Sequence, residues 1–168
     1  VVFVTCGTGK QENVFTLNRI ASCNAEPPMI SISVRPSRAS HERIEQSGEF
    51  VINIPWWDME TISDYVGSTT GRDTDKWRET GLSRQPATIV QPSLIAECVV
   101  NLECQVRHTL RLASHTLFVA EVVMMHADEG VLNDRKEVDF NLAAAGMVYR
   151  SAVVRERPVE DFKPASLL

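Results

Sequence analysis

Alternation of apolar and polar side chains with a period of two is the strongest pattern in the chain. In Met29–Val34 two serines alternate with isoleucines and a valine, and in Cys98–Arg107 an apolar set alternates with a mostly polar one. Successive side chains of a β-strand point to opposite faces of the sheet, so both segments are predicted to be strands with one buried face. Leu117–Met125 is apolar on both sides except at Glu121, which is typical of a strand covered on both faces.

Weaker signals add three strands and three short helices. The predicted strands are Val1–Cys6, Asn13–Asn18 and Phe50–Ile54, and the predicted helices are Ser40–Ser47, Asp58–Val66 with Asp58 as its N-cap, and Asp75–Thr80. Two glycines between the first two strands can adopt the positive φ of a tight turn, which predicts a hairpin. Three short helices cannot alternate with about six strands as parallel βαβ units. The predicted fold is therefore mainly β, an antiparallel β-barrel with a few short peripheral α-helices.

Composition and charge narrow the functional classes. The chain has 168 residues, of which 43% are apolar and 23% charged, and we assign residues 1–154 to one domain and residues 155–168 to an extended tail. A net charge of −5 argues against a general nucleic-acid binder. The longest charge-free stretch, Gln85–Ala96, is shorter than the ~20 apolar residues that span a bilayer. Without a membrane segment or a signal-peptide pattern, we expect a cytoplasmic protein.

Cysteine and histidine spacing gives no sign of a metal site. The four cysteines include no Cys-X-X-Cys pair, and the four histidines form no close ligand group. We therefore expect reduced, buried thiols and no bound metal.

A basic loop between two predicted elements carries the clearest chemical signal. Arg35, Arg38 and His41 surround the hydroxyls of Ser37 and Ser40 at the start of a predicted helix. Unpaired backbone N–H groups at a helix start attract anions, and arginine adds charge-assisted hydrogen bonds. The loop is a candidate phosphate site, although a solvated basic turn would carry the same residues.

The order of motifs resembles the flavin reductase-like, flavoredoxin-type FMN-binding proteins over roughly residues 1–150. The matching segments are Asn13–Asn18, Pro27-Pro28, Met29–Val34, the basic loop, Glu49–Asn53, Asp75-Lys76-Trp77, Glu97–Cys104, His115–Val122 and Tyr149. The family fold is the split β-barrel. The resemblance implies a homodimer with one FMN per subunit, held near the dimer interface.

The resemblance also implies roles for particular residues. The isoalloxazine ring and ribityl chain would be contacted by Asn13, Thr16, Leu17 and Asn18, and the edge of the ring by Ser31, Ile32 and Ser33. The phosphate would be held by Arg38, Ser40 and His41, with Arg35 and Ser37 nearby. Lys76 would reach the phosphate or a partner's site. His115 matches a family histidine at the open flavin face, where nicotinamide would stack, and is the candidate catalytic residue.

Three functions remain open at this point. The first is an FMN-binding oxidoreductase that passes hydride or electrons from NAD(P)H to an acceptor. The second is a flavoredoxin-like FMN carrier that is reduced by an electron-transfer protein. The third is a flavin-free dimeric interaction module. The sequence departs from the family at Ala113 and Ala120, where glycine is common, and at Arg19, where many relatives carry tryptophan; these departures bear on NAD(P)H use.

Overall fold

The computed structural model describes residues 1–135 and 138–139. The strands are β1 (Val2–Cys6), β2 (Asn13–Leu17), β3 (Ile20–Asn24), β4 (Met29–Val34), β5 (Glu49–Pro55), β6 (Arg84–Gln85), β7 (Leu94–Ile95), β8 (Cys98–Arg111) and β9 (Thr116–Ala127). The helices are α1 (Ala39–Ser47), α2 (Glu60–Ser68) and α3 (Lys76–Thr80), with 3₁₀ turns at Gly9–Gln11, Trp57–Met59 and Glu129–Val131. The predicted tail and Tyr149 lie outside the described residues.

One curled antiparallel sheet dominates the architecture. Its seven strands follow the order β2-β1-β5-β8-β9-β4-β3, and β6 and β7 form a separate two-stranded ribbon. Every pairing within both sheets is antiparallel. The sheet curves into a half-barrel with the helices at its periphery. This confirms the predicted class, a mainly β split barrel with a few short helices.

Two apolar clusters bury opposite faces of the first strands. The concave face of the barrel holds a core that includes Val4, Phe50 and Phe118. On the other side of β1 and β2, Phe3 packs in a second cluster with Trp77 and other residues of α2 and α3. All five residues of β1 are buried, because the strand is covered on both faces. The second cluster fixes α2 and α3 beside β2, which is where the cleft described below is formed.

Three details of the local structure differ from the sequence prediction. Ile20–Asn24 forms β3, which no alternation signal predicted, since most of its residues are small or polar and it pairs only along the sheet edge with β4. Asp58 is not the N-cap of α2: it lies in a 3₁₀ turn, and the helix begins after Met59. Strand β8 continues to Arg111, four residues beyond the predicted alternation, because β9 pairs with it to that point.

The first half of the β8 face that was predicted as mostly polar is buried, whereas Arg107 on the same face is exposed. Asn101 is 6% exposed and Glu103 is fully buried, because the segment that contains β6 and β7 covers them. The Glu103 carboxylate accepts hydrogen bonds from the backbone N–H groups of Thr88, Ile89 and Val90 at 2.7–3.0 Å, and it lies 2.6 Å from His126 Nε2. Burial alone would raise the pKa of Glu103, but these donors outweigh it and lower the pKa.

The described part of the chain carries neither a membrane-spanning helix nor a metal-binding cluster. None of its helices has the length and apolar character needed to cross a bilayer. No group of three or more histidine, cysteine, aspartate or glutamate side chains in the same residues is arranged to hold a metal ion. All four cysteines have free thiols, and only Cys23 is exposed.

Candidate functional site

A cleft of about 320 Å³ opens between β2, the basic loop after β4, and the segment that joins α2 to α3. Its volume is within the range of ~300–1,000 Å³ that is usual for small-molecule sites. The lining residues are Asn13, Phe15, Thr16, Leu17, Asn18, Arg19, Ser33, Val34, Arg35, Ser37, Arg38, Ala39, Ser40, Val66, Gly67, Thr69, Thr70, Gly71, Lys76 and His115. Eleven of the fourteen site residues inferred from the sequence are among them.

The other three inferred residues do not line the cleft. Ile32 is fully buried in the barrel core, and the Ser31 hydroxyl donates to the carbonyl of Ala21 on the neighbouring strand. His41 is buried on the inward face of α1 together with Ile44, and its ring packs against Phe118. His41 Nε2 lies 2.8 Å from Thr116 Oγ1. The structure therefore assigns His41 to the core, one helix position away from the cleft-lining Ser40.

The closed end of the cleft is organised around Asn13 and Lys76. Asn13 Nδ2 donates to Ser40 Oγ at 2.8 Å, which links β2 to the first turn of α1. Lys76 is 4% exposed, and its ammonium donates to the carbonyls of Val14 at 3.1 Å and Val66 at 2.7 Å. An ammonium has three protons, so one remains for a ligand. Lys76 thus holds the end of α2 against β2 and also presents a donor to the closed end.

Burial and neighbouring cations perturb the charge of Lys76. Desolvation by burial, together with the positive charges of Arg38 and Arg43, lowers the pKa of Lys76 to about 8, against an opposing effect of Cys6. No aspartate or glutamate is among the described residues that line the cleft. The closed end therefore has an excess of positive charge, which an anion would stabilise.

Residues 66–71 form one wall of the cleft, and none of them is among the site residues inferred from the sequence. A Cβ built on Gly71 would lie 2.0 Å from Asn13 Oδ1, so only glycine allows the backbone to approach this closely. Arg43 Nη2 donates to the Gly71 carbonyl at 3.2 Å, and Arg72 Nη2 donates to the Ser37 carbonyl at 3.2 Å. These bonds tie the wall to α1 and the basic loop. The sequence signal for this wall was limited to two glycines among threonines.

His115 lies at the open mouth of the cleft. Arg35 Nε donates to His115 Nε2 at 3.4 Å, and Ser114 Oγ lies 2.9 Å from Nδ1. Because Nε2 accepts this hydrogen bond, the ring proton resides on Nδ1. Desolvation lowers the pKa of His115, and the charges of Arg19 and Arg35 lower it further. The imidazole is therefore neutral at neutral pH and held in one tautomer.

The arrangement suits a ligand with a strongly anionic end and a flat apolar part. Arg38 and the hydroxyls of Ser37 and Ser40 line the closed end beside Lys76, and no side chain caps the start of α1. Charge-assisted hydrogen bonds from arginine contribute ~1.5–3 kcal/mol each. Phe15 and Leu17 supply apolar surface along β2. The cleft can therefore bind a phosphate at one end and a planar ring system beside it.

Comparison with known proteins identifies the family of the chain. The family model "Flavin reductase like domain" matches residues 1–152. The chain is 28% identical over 142 residues to an uncharacterised protein of Pyrococcus abyssi, covering 84% of this chain and 81% of that one. It is 24% identical over 132 residues to an NADH-dependent FMN reductase of Streptomyces nodosus subsp. asukaensis, covering 77% of this chain and 69% of that protein.

A solved structure shows the same fold. The flavoredoxin of Methanosarcina acetivorans superposes with a TM-score of 0.80 at 23% identity, covering 95% of this chain and 88% of that chain. The family model extends across nearly all of the sequence, and the seven-stranded half-barrel has the architecture of a split barrel. The chain therefore belongs to the flavin reductase-like domain family.

Proposed function

We propose that the protein binds FMN in this cleft and acts as an oxidoreductase, passing hydride or electrons from NAD(P)H through the flavin to an acceptor. The observation that carries the proposal is the closed end of the cleft, where Arg38 and Lys76 meet two serine hydroxyls and no described lining residue is acidic. A related protein is named an NADH-dependent FMN reductase, which supports the same activity class.

The residues present fit FMN better than an uncharged ligand. A phosphate monoester carries up to two negative charges, and the closed end offers the Arg38 guanidinium, one free N–H of Lys76 and the hydroxyls of Ser37 and Ser40. Glycine at position 71 lets the wall lie against Asn13, because the side chain of any larger residue would collide with the Asn13 amide. The chain has no dinucleotide fingerprint, which favours FMN over FAD.

Residues of β2 and β4, together with Asn18 directly after β2, would orient the ring system. These cleft-lining residues are Asn13, Leu17, Asn18 and Ser33. The Thr16 hydroxyl already donates to the Ser63 carbonyl of α2 at 2.8 Å, so towards a ligand it can only accept. We infer that Thr16 positions α2 against β2 and contributes mainly its methyl group to the cleft.

The protein's own contribution to the reaction is orientation and electrostatics. Bound FMN would supply the two-electron redox chemistry. His115, neutral and fixed by Arg35 and Ser114, would line the approach of the second substrate without carrying a charge of its own. Arg19, Arg35 and Arg38 give the cleft a positive potential that stabilises negative charge within it.

We further propose that the protein is a cytoplasmic homodimer. Leu110 and Leu112, next to the turn of the β8–β9 hairpin, are 56% and 51% exposed, and neighbouring exposed apolar side chains favour a protein interface. The four free thiols fit a reducing compartment. Light scattering of the purified 18.8 kDa chain should give twice the mass of one subunit, and the mass of a monomer would contradict this part of the proposal.

Anaerobic spectroscopy tests the activity. FMN-loaded protein should lose its flavin absorbance near about 450 nm when NADH or NADPH is added. The alternative is a carrier that is reduced only by a protein partner, and it predicts persistent colour with both nicotinamides. A purified protein that neither contains nor takes up FMN would contradict both functions and leave the flavin-free interaction module.

A further inference from the structure

We propose that Arg19 and Arg35 form a second anion subsite at the mouth of the cleft, and that this subsite binds the diphosphate of a nicotinamide dinucleotide. The inference rests on the proposed function, because it concerns the second substrate of the same cleft. It adds two specificity-determining residues, Arg19 and Arg35, to the same cleft.

The first observation is the position of the two guanidinium groups. Arg35 Nε contacts His115 Nε2 at 3.4 Å, and Arg19 also lines the cleft. Arg19, Arg35 and His115 line the same cleft, and the charges of both arginines lower the pKa of the His115 imidazole. Arg38, by contrast, acts on Lys76 at the closed end. The positive charge of the cleft is therefore divided between two ends.

The second observation is that neither arginine has an acidic partner. Four other arginines of the described chain form ion pairs with glutamates: Arg78 with Glu79, Arg84 with Glu12, Arg107 with Glu121 and Arg111 with Glu45. Within the described residues, Arg19 and Arg35 form no such pair, although the whole chain has a net charge of −5. Two like charges without a counter-ion repel each other, and a bound anion relieves this repulsion.

The third observation is a surplus of charge over what one phosphate needs. The closed end already provides two cations, Arg38 and Lys76, for a phosphate that carries up to two negative charges. Arg19 and Arg35 are additional. The diphosphate bridge of a dinucleotide carries two negative charges and can accept bidentate bonds from arginine. The two negative charges of the diphosphate therefore equal in number the two positive charges, those of Arg19 and Arg35, that have no acidic partner at the mouth.

The shape of the mouth favours a small molecule over an acidic protein. Arg19 and Arg35 line a concave cleft that also contains His115, and a concave site surrounds a small ligand on several sides. An acidic electron-transfer protein would instead require a broad convex or flat basic surface. Arg107 and Arg111, which lie on the β8 surface, are neutralised by Glu121 and Glu45. These two surface arginines therefore offer no unpaired charge to an acidic protein.

Binding of ADP tests the subsite without any redox reaction. The protein is first saturated with FMN, so that the closed end is blocked, and ADP is then titrated by calorimetry. Arg19→Gln and Arg35→Gln should each weaken ADP binding by about tenfold or more, and the wild-type affinity should fall with rising salt. The matched control is Arg78→Gln, which removes the same charge from an exposed pair on α3. Equal ADP affinity in all four proteins would overturn the proposal.

A kinetic comparison tests the same residues with two hydride donors. NADH carries the diphosphate, whereas 1-benzyl-1,4-dihydronicotinamide is uncharged and has the same reactive ring. The ratio of the anaerobic reduction rates with the two donors should fall about tenfold in the arginine variants and stay constant in Arg78→Gln. A parallel change with both donors would overturn the proposal, and so would reduction by an acidic protein but by neither nicotinamide.

Titration of these proteins with FMN distinguishes a failure of the proposed function from a failure of the Arg19–Arg35 subsite. If the wild type does not bind FMN, the proposed function fails and this inference fails with it. If FMN binds but ADP affinity does not depend on Arg19 or Arg35, the inference alone is overturned.

Discussion

The backbone of Gly71 lies against the side-chain amide of Asn13 so closely that a methyl group on Gly71 would be 2.0 Å from Oδ1. The same asparagine donates through Nδ2 to Ser40 Oγ. One amide therefore connects the wall after α2, strand β2 and the first turn of α1. A change at Gly71 displaces a group on which the closed end of the cleft depends.

Gly71→Ala should weaken FMN binding by about tenfold or more, because Asn13 must move away from Ser40 to make room for the methyl group. The matched control is Gly130→Ala, where the added Cβ makes an ordinary contact of 3.5 Å with Asp128 Oδ1. Fluorescence titration with FMN measures the affinity, and thermal unfolding shows whether the fold is retained. A Gly71→Ala protein that binds FMN as tightly as Gly130→Ala would contradict this role of the wall.

The affinity for FMN should fall as the pH rises above about 8. In the free protein, burial holds the pKa of Lys76 at about 8, so the ammonium is lost above that value. A bound phosphate favours the charged form and raises this pKa, which means that FMN binding near pH 8.5 takes up a proton. Calorimetry in buffers of different ionisation enthalpy measures this uptake. In Lys76→Met the proton uptake should disappear, and uptake that persists in this variant would place the titrating group elsewhere.

Glu103→Gln should lower the free energy of unfolding at pH 7 by about 1–3 kcal/mol. The glutamine amide can accept fewer of the hydrogen bonds that the buried carboxylate accepts from Thr88, Ile89 and Val90. The pKa of Glu103 is lowered in the folded protein, so its contribution is fully present above the ordinary value of 4.5 and is lost as the pH falls through the folded-state pKa. Urea unfolding at several values between about pH 3 and pH 7 measures how the free energy of unfolding declines as this contribution is lost.

A suitable control for Glu103 is Glu97, an exposed carboxylate that accepts from the Ser83 backbone N–H. Glu97→Gln should change the unfolding free energy by less than about 0.5 kcal/mol. Equal effects of the two substitutions would show that the carboxylate of Glu103 does not stabilise the segment that covers β8.

Arg35→Gln should raise the pKa of His115 towards its ordinary value of 6.5. The substitution removes one of the two positive charges that disfavour the imidazolium, while the desolvation remains. Titration of the imidazole resonances by NMR measures the shift directly. The control is Arg78→Gln, because Arg78 lies on α3 and pairs with Glu79. This substitution should leave the pKa of His115 unchanged. A His115 pKa that does not respond to Arg35→Gln would mean that the guanidinium is not held beside the ring in solution.

Patterns of a few residues predicted much of this structure, but contacts distant in sequence were not predictable. Alternation identified β4 and β8, a continuous apolar run identified β9, and the clustering of arginines and serines identified the loop of Arg35 and Arg38. The same alternation predicted a polar face around Glu103, because it carries no information about the segment that covers this face. The close approach of Gly71 to Asn13 has no local signature at all. Both failures come from tertiary packing.

The phase of a short helix explains why His41, one of the inferred site residues, does not line the cleft. Ser40 and His41 are adjacent in sequence and were both expected near the phosphate. Neighbouring positions on a helix point about 100° apart, and only Ser40 lines the cleft. His41 instead packs on Phe118 in the barrel. The sequence identified the helix start but not its rotation against the sheet.

A comparison of FMN with riboflavin is the most direct test of the central claim, because the two molecules differ only in the terminal phosphate. Fluorescence titration of the wild type should show FMN binding at least about tenfold more tightly than riboflavin. Arg38→Ala should remove more than about 1.5 kcal/mol of FMN binding and most of this preference, whereas Arg78→Ala should preserve it. Equal affinity of the wild type for both flavins, or an Arg38→Ala protein with unchanged preference, would contradict a phosphate site at the closed end of the cleft.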